Sequence, residues 1–549
     1  MLLQISPASP LEKIFADQPL KAERFNHASC LKGETVSFQI ACFCDDYANL
    51  FCSCDQPAAV MREAVLVACE TPAQDNSDDP AVERTIPGLY PDPLLPIDGY
   101  IRLAPNQWRS VFVTLDIPDN ERCGKKEINF SFTAISNRNP DISSRAEAVF
   151  TLEVIDAVSP EQKLVNTQWF HADCIYTYYN VQCWSEEHWT LLEKYFRNMT
   201  SHGINMLLTP VWTPPLDTAK GGERPTVQLV DAAYCNGTFS FDFARLERWI
   251  DLARNCGIKY FEFAHPFTQW GAEHAPKIMV CNNGVYEKMF GWDTSSSDEL
   301  YVAFLRGFFA VLIPFLEKKG IKDQCYFHVS DEPNVSHIPV YSKCAELMRE
   351  LVCGCKIIDA LSNIEFYRLG LVALPVPGNN HIEDFYADKV EPLWTYYCCG
   401  QCTKVPNRFI NFPSYRNRVM GVLLYVYNIS GFLHWGYNFW FSRLSVRTDI
   451  DPFRVTDADH SFPSGDAFLV YPGKHGPVDS IRHEILREAI QDQRALQKLE
   501  SLIGKDKTLE LIHYGLDYKL SMENYPHSAA WLLDLRERVN EAIKNAVRI

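Results

Sequence analysis

The chain lacks any cluster of lysine and arginine: 52 basic residues stand against 69 acidic ones, a net charge of −17. Such a surface repels polyphosphate, and sequence-independent binding to nucleic acid needs a basic face, so no nucleic-acid partner is expected. The opening residues Met1-Leu2-Leu3-Gln4-Ile5-Ser6-Pro7 lack the basic start and sustained apolar core of a secretory signal. No segment reads as the roughly 18 apolar residues of a membrane span, and no membrane partner is expected either. Regular cysteine spacing is missing too. The 19 cysteines are odd in number and scattered, which fits a reducing compartment rather than a disulfide framework, so the expected localisation is cytoplasmic. The cluster Cys398-Cys399-Gly400-Gln401-Cys402 has no second ligand pair at matching spacing. Its thiols read as small buried hydrophobes, and neither metal nor cofactor is expected.

What is present is a folded, globular composition, 47% hydrophobic and 22% charged over 549 residues. That length suits roughly two to four domains. The first ~160 residues alternate with period two. Val36, Phe38, Ile40 and Cys42 share a face, as do Val111, Val113, Leu115 and Ile117, then Ile128, Phe130, Phe132 and Ala134, then Phe150, Leu152 and Val154. Successive half-buried strands of this kind make a β-sandwich. The proline-rich run from Ile86 to Pro93 cannot be a central strand and reads as a loop.

After Ser159-Pro160 short apolar runs alternate with helical patterns. Eight candidate strands follow: Leu164–His171, Ile204–Trp212, Ile258–His265, Gln324–Ser330, Cys355–Asp359, Leu371–Val376, Leu393–Tyr397 and Gly431–Tyr437. Ser185 with Glu186 and Glu187 opens one helix, with Trp189, Leu192, Phe196 and Met199 as its stripe. Asp298-Glu299 opens another, with Leu300, Leu305, Phe308, Phe309, Leu312 and Phe315. Eight strands with intervening helices define a (β/α)8 TIM barrel. A strand Ala467–Tyr471, a helix from Ser480 to Leu499 and a helix Ala529–Ala546 complete the chain. The expected fold is multidomain, α/β plus all-β: an N-terminal β-sandwich (1–160), a catalytic barrel (161–500) and a helical extension (501–549).

Barrel chemistry sits at the carboxyl ends of the strands. The fourth strand leaves through Ser330-Asp331-Glu332-Pro333, two carboxylates followed by a proline that biases Glu332 towards an extended backbone. An Asp-Glu pair is common by chance; its place at a strand end makes it the candidate catalytic pair. Other strand ends offer His171, Trp212, His265 with nearby Trp270, Tyr396, Tyr397, Trp435 and Tyr437 as substrate-binding groups. Aromatic faces suit the apolar face of a sugar, although each such residue taken alone is more often barrel packing. His328 and Ser330 are expected to point elsewhere within the strand.

The string His328-Val329-Ser330-Asp331-Glu332-Pro333 resembles the catalytic strand of family 123 glycoside hydrolases, the retaining β-N-acetylgalactosaminidases. Gly431 to Trp440, followed by Asp451-Pro452-Phe453, resembles the family's eighth strand and the loop beyond it, with Phe453 standing where a Trp is expected. Gly465 to Gly473 and Ser480 to Arg487 resemble its closing strand and helix. The resemblance spans roughly Ile86 to Leu499, and the family's N-terminal sandwich matches the order inferred above. It implies substrate-assisted catalysis on a glycan or glycoside substrate, with the sugar's own acetamido oxygen attacking the anomeric carbon. Asp331 would orient that group and Glu332 would act as acid and then base, with a raised pKa on Glu332 from burial beside Asp331. Three alternatives stay open. The substrate is another 2-acetamido hexoside, glucosamine-configured, sulfated or peptidoglycan-derived; or the barrel is a silent carbohydrate-binding protein; or the enzyme is a conventional two-carboxylate glycosidase pairing Glu332 with Glu262 or Asp359.

Overall fold

The computed structural model describes residues 1–21, 24–73 and 82–547. Its N-terminal part holds two five-stranded sheets. The first runs Leu3–Ala8, Thr35–Cys44, Gln107–Asp116, Ala59–Cys69, Gly88–Pro96; the second runs His27–Lys32, Ser143–Val158, Gly124–Ser136, Ala48–Cys54, Ile101–Leu103. The expected faces meet between them. Phe38, Ile40, Val111, Val113, Phe130, Phe132, Phe150 and Leu152 share one core, and Phe38 stacks on Phe150 at 3.8 Å. Each such side chain contributes about 1.5–3 kcal/mol on burial.

The proline-rich run is not a loop. Gly88–Pro96 is an edge strand of its sheet, paired with Ala59–Cys69 across a register shift between Ala64 and Leu66 and touched on its other side by an isolated bridge from Pro93 to Ser480. Proline is excluded from central strands because it cannot donate to a neighbour, and an edge removes that requirement on one side. The edge is covered by the rest of the molecule: buried Asp92 accepts from Arg482 Nε and Nη2, both at 2.8 Å, and from Tyr471 Oη at 2.5 Å.

The second part is a parallel eight-stranded barrel. Its strands, in chain order, are Val165–Gln168, Met206–Thr209, Tyr260–Phe263, Cys325–Phe327, Lys356–Ala360, Leu374–Val376, Trp394–Tyr396 and Gly431–His434. All eight overlap the segments read from sequence. Neighbours pair in sequence order, with the eighth beside the first. The sixth and seventh strands meet only through a bridge at Gly378 and Tyr396, with Tyr396 N–H donating to Pro377 O at 2.9 Å. A separate four-stranded sheet, built from Asp231–Cys235, Thr238–Asp242, Ile278–Asn282 and Val285–Phe290, was not expected; it is inserted after the second and third barrel strands.

Helix Glu186–Ser201 starts as read, with Ser185 accepting from His188 N–H. Asp298 likewise caps helix Glu299–Lys318. Contrary to expectation, that second helix is long and apolar enough by length and composition to cross a membrane. It is nevertheless a barrel helix: Tyr301, Phe304, Leu305, Phe308, Phe309, Leu312 and Leu316 are buried, while Leu300, assigned above to the buried stripe, is exposed. The closing strand is Val470–Gly473, three residues later than read, and is paired with Gly476–Asp479. Helix Ile481–Ile503 then packs against helix Ser414–Val426. The two approach so closely at Gly421 that a Cβ there would stand 1.9 Å from Ala489 O. The last helix, Ala529–Val547, ties the layers together through Arg536, which pairs with Glu34 of the sandwich and with Asp492.

Candidate active site

The chain leaving the fourth barrel strand is held by its neighbours. Asp359, at the end of the fifth strand, accepts from Val329 N–H at 3.0 Å and from Ser330 N–H at 3.4 Å. Ser330 Oγ donates to Thr268 O, and Trp270 N–H donates to Asp331 O at 2.8 Å. Glu332 N–H donates to Ala360 O at 3.0 Å. Glu332 is not extended as Pro333 suggested. Its φ is +43°, in the left-handed region, at a local cost of about 1–3 kcal/mol that the surrounding bonds offset. This kink turns the chain between the two acids, and both side chains reach the same cavity of about 200 Å³ at the barrel mouth.

Tyr396 Oη donates to Glu332 Oε1 at 2.7 Å. Burial first, and the Glu332 charge second, hold the Asp331 carboxyl well above the ordinary range. The Tyr396 hydroxyl is thus placed to stabilise negative charge on Glu332.

Beneath the pair lies a buried ionic triad. His328 Nε2 meets Glu262 Oε1 at 2.7 Å, and His328 Nδ1 meets Asp359 Oδ1 at 3.1 Å. Burial opposes the imidazolium, but the hydrogen bonds to Asp359 and Glu262 outweigh it and hold the pKa at about 9. Glu262 also accepts from Thr167 Oγ1 at 2.5 Å and Trp169 Nε1 at 2.8 Å. Asp359 takes Tyr341 Oη at 2.5 Å. Glu262 and Asp359 are therefore spent on structure, and neither lines the cavity.

Of the expected binding residues, Trp270, Tyr396 and Trp435 line the cavity. Trp270 is 46% exposed, and Trp435 is fixed by its Nε1 donating to Asp466 Oδ2 at 2.9 Å. His171, Trp212, His265, Tyr397 and Tyr437 do not reach the cavity. His171 lies behind Trp435, with Nε2 2.9 Å from Trp435 O and Nδ1 3.1 Å from Arg224, and burial pushes it down to about 3. Trp212 is core, packed on Phe308 with its indole N–H on His265 O. His265 is fully buried and stacked on His328 at 3.8 Å. Tyr397 faces away from its neighbour Tyr396, as alternation along a strand requires, and donates to Asn417 Oδ1. Tyr437 lies past the end of its strand and donates to Asn198 Oδ1 at 2.6 Å. Phe453 packs on Tyr471 at 4.9 Å and does not line the cavity.

Sequence reading missed Trp169, Asp217, Gln269, Arg443 and Phe462, all of which line the cavity. Trp169 sits inside the first expected strand, so alternation could have flagged it. The other four lie in loops without a motif. Asp217 has φ +42°; its N–H donates to Gln269 Oε1 at 2.6 Å and its Oδ2 accepts from Leu444 N–H at 2.9 Å. Burial lifts its carboxyl to about 6, against the pull of the Leu444 N–H, Arg224 and Arg443.

Two clusters bring three possible metal donors together: His202 with Asp479 and His483, and His265 with His328 and Asp359. In each, a donor is already committed, His328 as above and Asp479 to Arg62 at 2.9 Å and His483 at 3.0 Å, although both ring nitrogens of His265 have no hydrogen-bond partner. A larger cleft of about 420 Å³ lies between the sandwich and the last helix, but its Arg418, Glu488, Asp492 and Arg536 are paired with one another.

Paired acids at the mouth of a (β/α)8 barrel, walled by indole rings and a tyrosine, define a glycosidase-type centre. The description "Glycoside hydrolase 123, catalytic domain" matches residues 169–499; the chain belongs to glycoside hydrolase family 123. A family 123 glycoside hydrolase from Clostridium perfringens, solved in a study of glycolipid glycan hydrolysis, is similar over the whole chain. It has a TM-score of 0.74 and 17% identity, covering 100% of this chain and 98% of that one. A family 5 mannosidase from Rhizomucor miehei is similar only at a TM-score of 0.33, with 10% identity over 62% of this chain and 94% of its own. No curated protein sequence matches the chain.

Proposed function

We propose that the protein releases a terminal β-linked 2-acetamido-2-deoxy sugar, N-acetylgalactosamine foremost, by retaining, substrate-assisted hydrolysis. The observation that carries this reading is that two consecutive acids open into one cavity, while the strand-end carboxylates Glu262 and Asp359 are buried in hydrogen bonds. Adjacent acids are poorly placed to flank an anomeric carbon from opposite faces, as a two-carboxylate retaining mechanism requires.

In this mechanism the acetamido N–H donates to Asp331, which favours the anionic form of that carboxyl, and its proton passes to Glu332. Glu332 then protonates the leaving oxygen as the acetamido oxygen closes on the anomeric carbon. Asp331 balances the oxazolinium charge. Glu332, now anionic and held by Tyr396, removes a proton from the water that opens the intermediate. Trp270 and Trp435 offer the flat faces. The test is a panel of aryl β-glycosides with and without the 2-acetamido group. Turnover is expected only with it, together with inhibition by a thiazoline mimic of the cyclised intermediate. Equal turnover of both sets sinks the mechanism, and no turnover of any leaves a sugar-binding barrel.

A second reading rests on Asp217, a third carboxyl in the same cavity. As a reader of sugar hydroxyls it must be ionised, so kcat/KM should fall as pH drops below about 6. Asp217→Asn should remove that limb and raise KM about 10-fold, roughly the value of a hydrogen bond to a charged group. A loss of kcat of about 10⁴-fold in Asp217→Asn, with KM unchanged, would make it the nucleophile of a conventional mechanism instead.

A further inference from the structure

Two thiols line the catalytic cavity without a part in the reaction proposed above: Cys398 and Cys399, consecutive residues just beyond the seventh barrel strand. Both are half-buried, and as consecutive residues they line one and the same cavity. The turn that carries them is fixed. Gln401 N–H donates to Cys398 O at 3.1 Å, and Cys398 N–H donates to Gln401 Oε1 at 2.8 Å. Asn407 Nδ2 donates to Cys398 O at 2.9 Å and to Gln401 O at 2.8 Å.

We propose that Cys398 and Cys399 form a chelating site for a trivalent arsenic centre, which takes both sulfurs at once and blocks the sugar cavity. Two sulfurs on a rigid turn present the second thiol at high effective concentration once the first has bound, so a two-thiol acceptor is favoured over any single-thiol reagent. A harder cation such as zinc needs four ligands. Among the described residues, the groups of three or more donors within reach of one ion lie elsewhere. The neighbouring Cys399 thiol, burial, and the charges of Glu332 and Asp466 hold the Cys398 thiol well above its ordinary value. Alkylation and peroxide oxidation, which need the thiolate, are expected to be slow at Cys398.

Capture of an organoarsine oxide balances without oxidation or reduction. The As=O bond and two S–H bonds break, two As–S bonds form, and both thiol protons leave with the oxygen as water.

The test treats the full-length protein with one equivalent of phenylarsine oxide, with iodoacetamide as the single-thiol comparison. Peptide mapping is expected to place the arsenic on the peptide containing Cys398 and Cys399, and turnover of an active aryl glycoside is expected to fall more than 10-fold. An excess of 2,3-dimercaptopropanol should restore it, and iodoacetamide should act much more slowly. Cys399→Ala, scored against its own untreated rate, should keep most of its activity in the arsenical. Arsenic found instead on another pair, such as Cys353 and Cys355, with the cavity pair free, overturns the proposal. So does a Cys399→Ala protein as sensitive as the parent. Mapping needs neither turnover nor a folded variant, so it decides the question even if no 2-acetamido glycoside is hydrolysed.

Discussion

Glu332→Gln should lower kcat on a 2-acetamido glycoside with a poor leaving group by about 10²–10⁴-fold, the usual worth of general acid–base catalysis. With a dinitrophenyl leaving group, which departs without a proton, the glycosylation step should be far less affected. Asp331→Asn should behave differently. It leaves the acid in place but removes the anion that balances the oxazolinium, so its loss should be of similar size whatever the leaving group. The measurement is a leaving-group series for both variants at one pH. If Glu332→Gln loses rate equally across the series, Glu332 is not the proton donor. If the leaving-group sensitivity moves to Asp331→Asn, the two roles are exchanged, an outcome to which the raised Asp331 carboxyl gives physical grounds.

Asp359→Ala should be the most destabilising single change near the site, at about 3–5 kcal/mol, because it leaves a buried imidazolium with one partner removed. It also strips acceptors from Val329 N–H and Tyr341 Oη. Urea denaturation at neutral pH reads the loss as a lower midpoint. The sign of its pH dependence follows from His328. A pKa raised from 6.5 to about 9 means that the pairing contributes fully below 6.5 and is lost as pH rises through 9. The gap between parent and variant should therefore narrow above pH 9. A gap that widened there would show His328 to be neutral. Since Asp359 anchors the backbone just before the proposed acid pair, kcat should fall with stability, and Asp359→Asn, which keeps an acceptor for Val329, should recover part of it.

Much of the architecture was legible in the chain because it rests on periodicity. The eight barrel strands and the capped helices at Ser185 and Asp298 announce themselves through apolar spacing and end signals. The Gly88–Pro96 strand did not, because proline content separates central from non-central positions but cannot distinguish an edge from a loop. The acid pair at the cavity, Asp331 and Glu332, was readable from its place after the fourth strand. The cavity's other polar groups were not: Asp217, Gln269 and Arg443 come from loops whose course is set by contacts such as Leu444 N–H to Asp217, far apart in sequence. Of the aromatic expectations, Trp270, Tyr396 and Trp435 line the cavity and three others do not. Tyr397, Trp212 and Tyr437 sit near strand ends, as expected, but side-chain direction there is decided by a single residue of phase or by how the chain bends after the strand.

The barrel is laced unevenly, and its sparsest join has a chemical consequence. Tyr396, the residue that meets Gly378 across that gap, also grips Glu332, and the paired thiols follow it by two positions. Parting of the staves at this point would withdraw the phenol from the acid. Thermal loosening is therefore expected to disturb Glu332 first, while the remaining seven junctions are still intact.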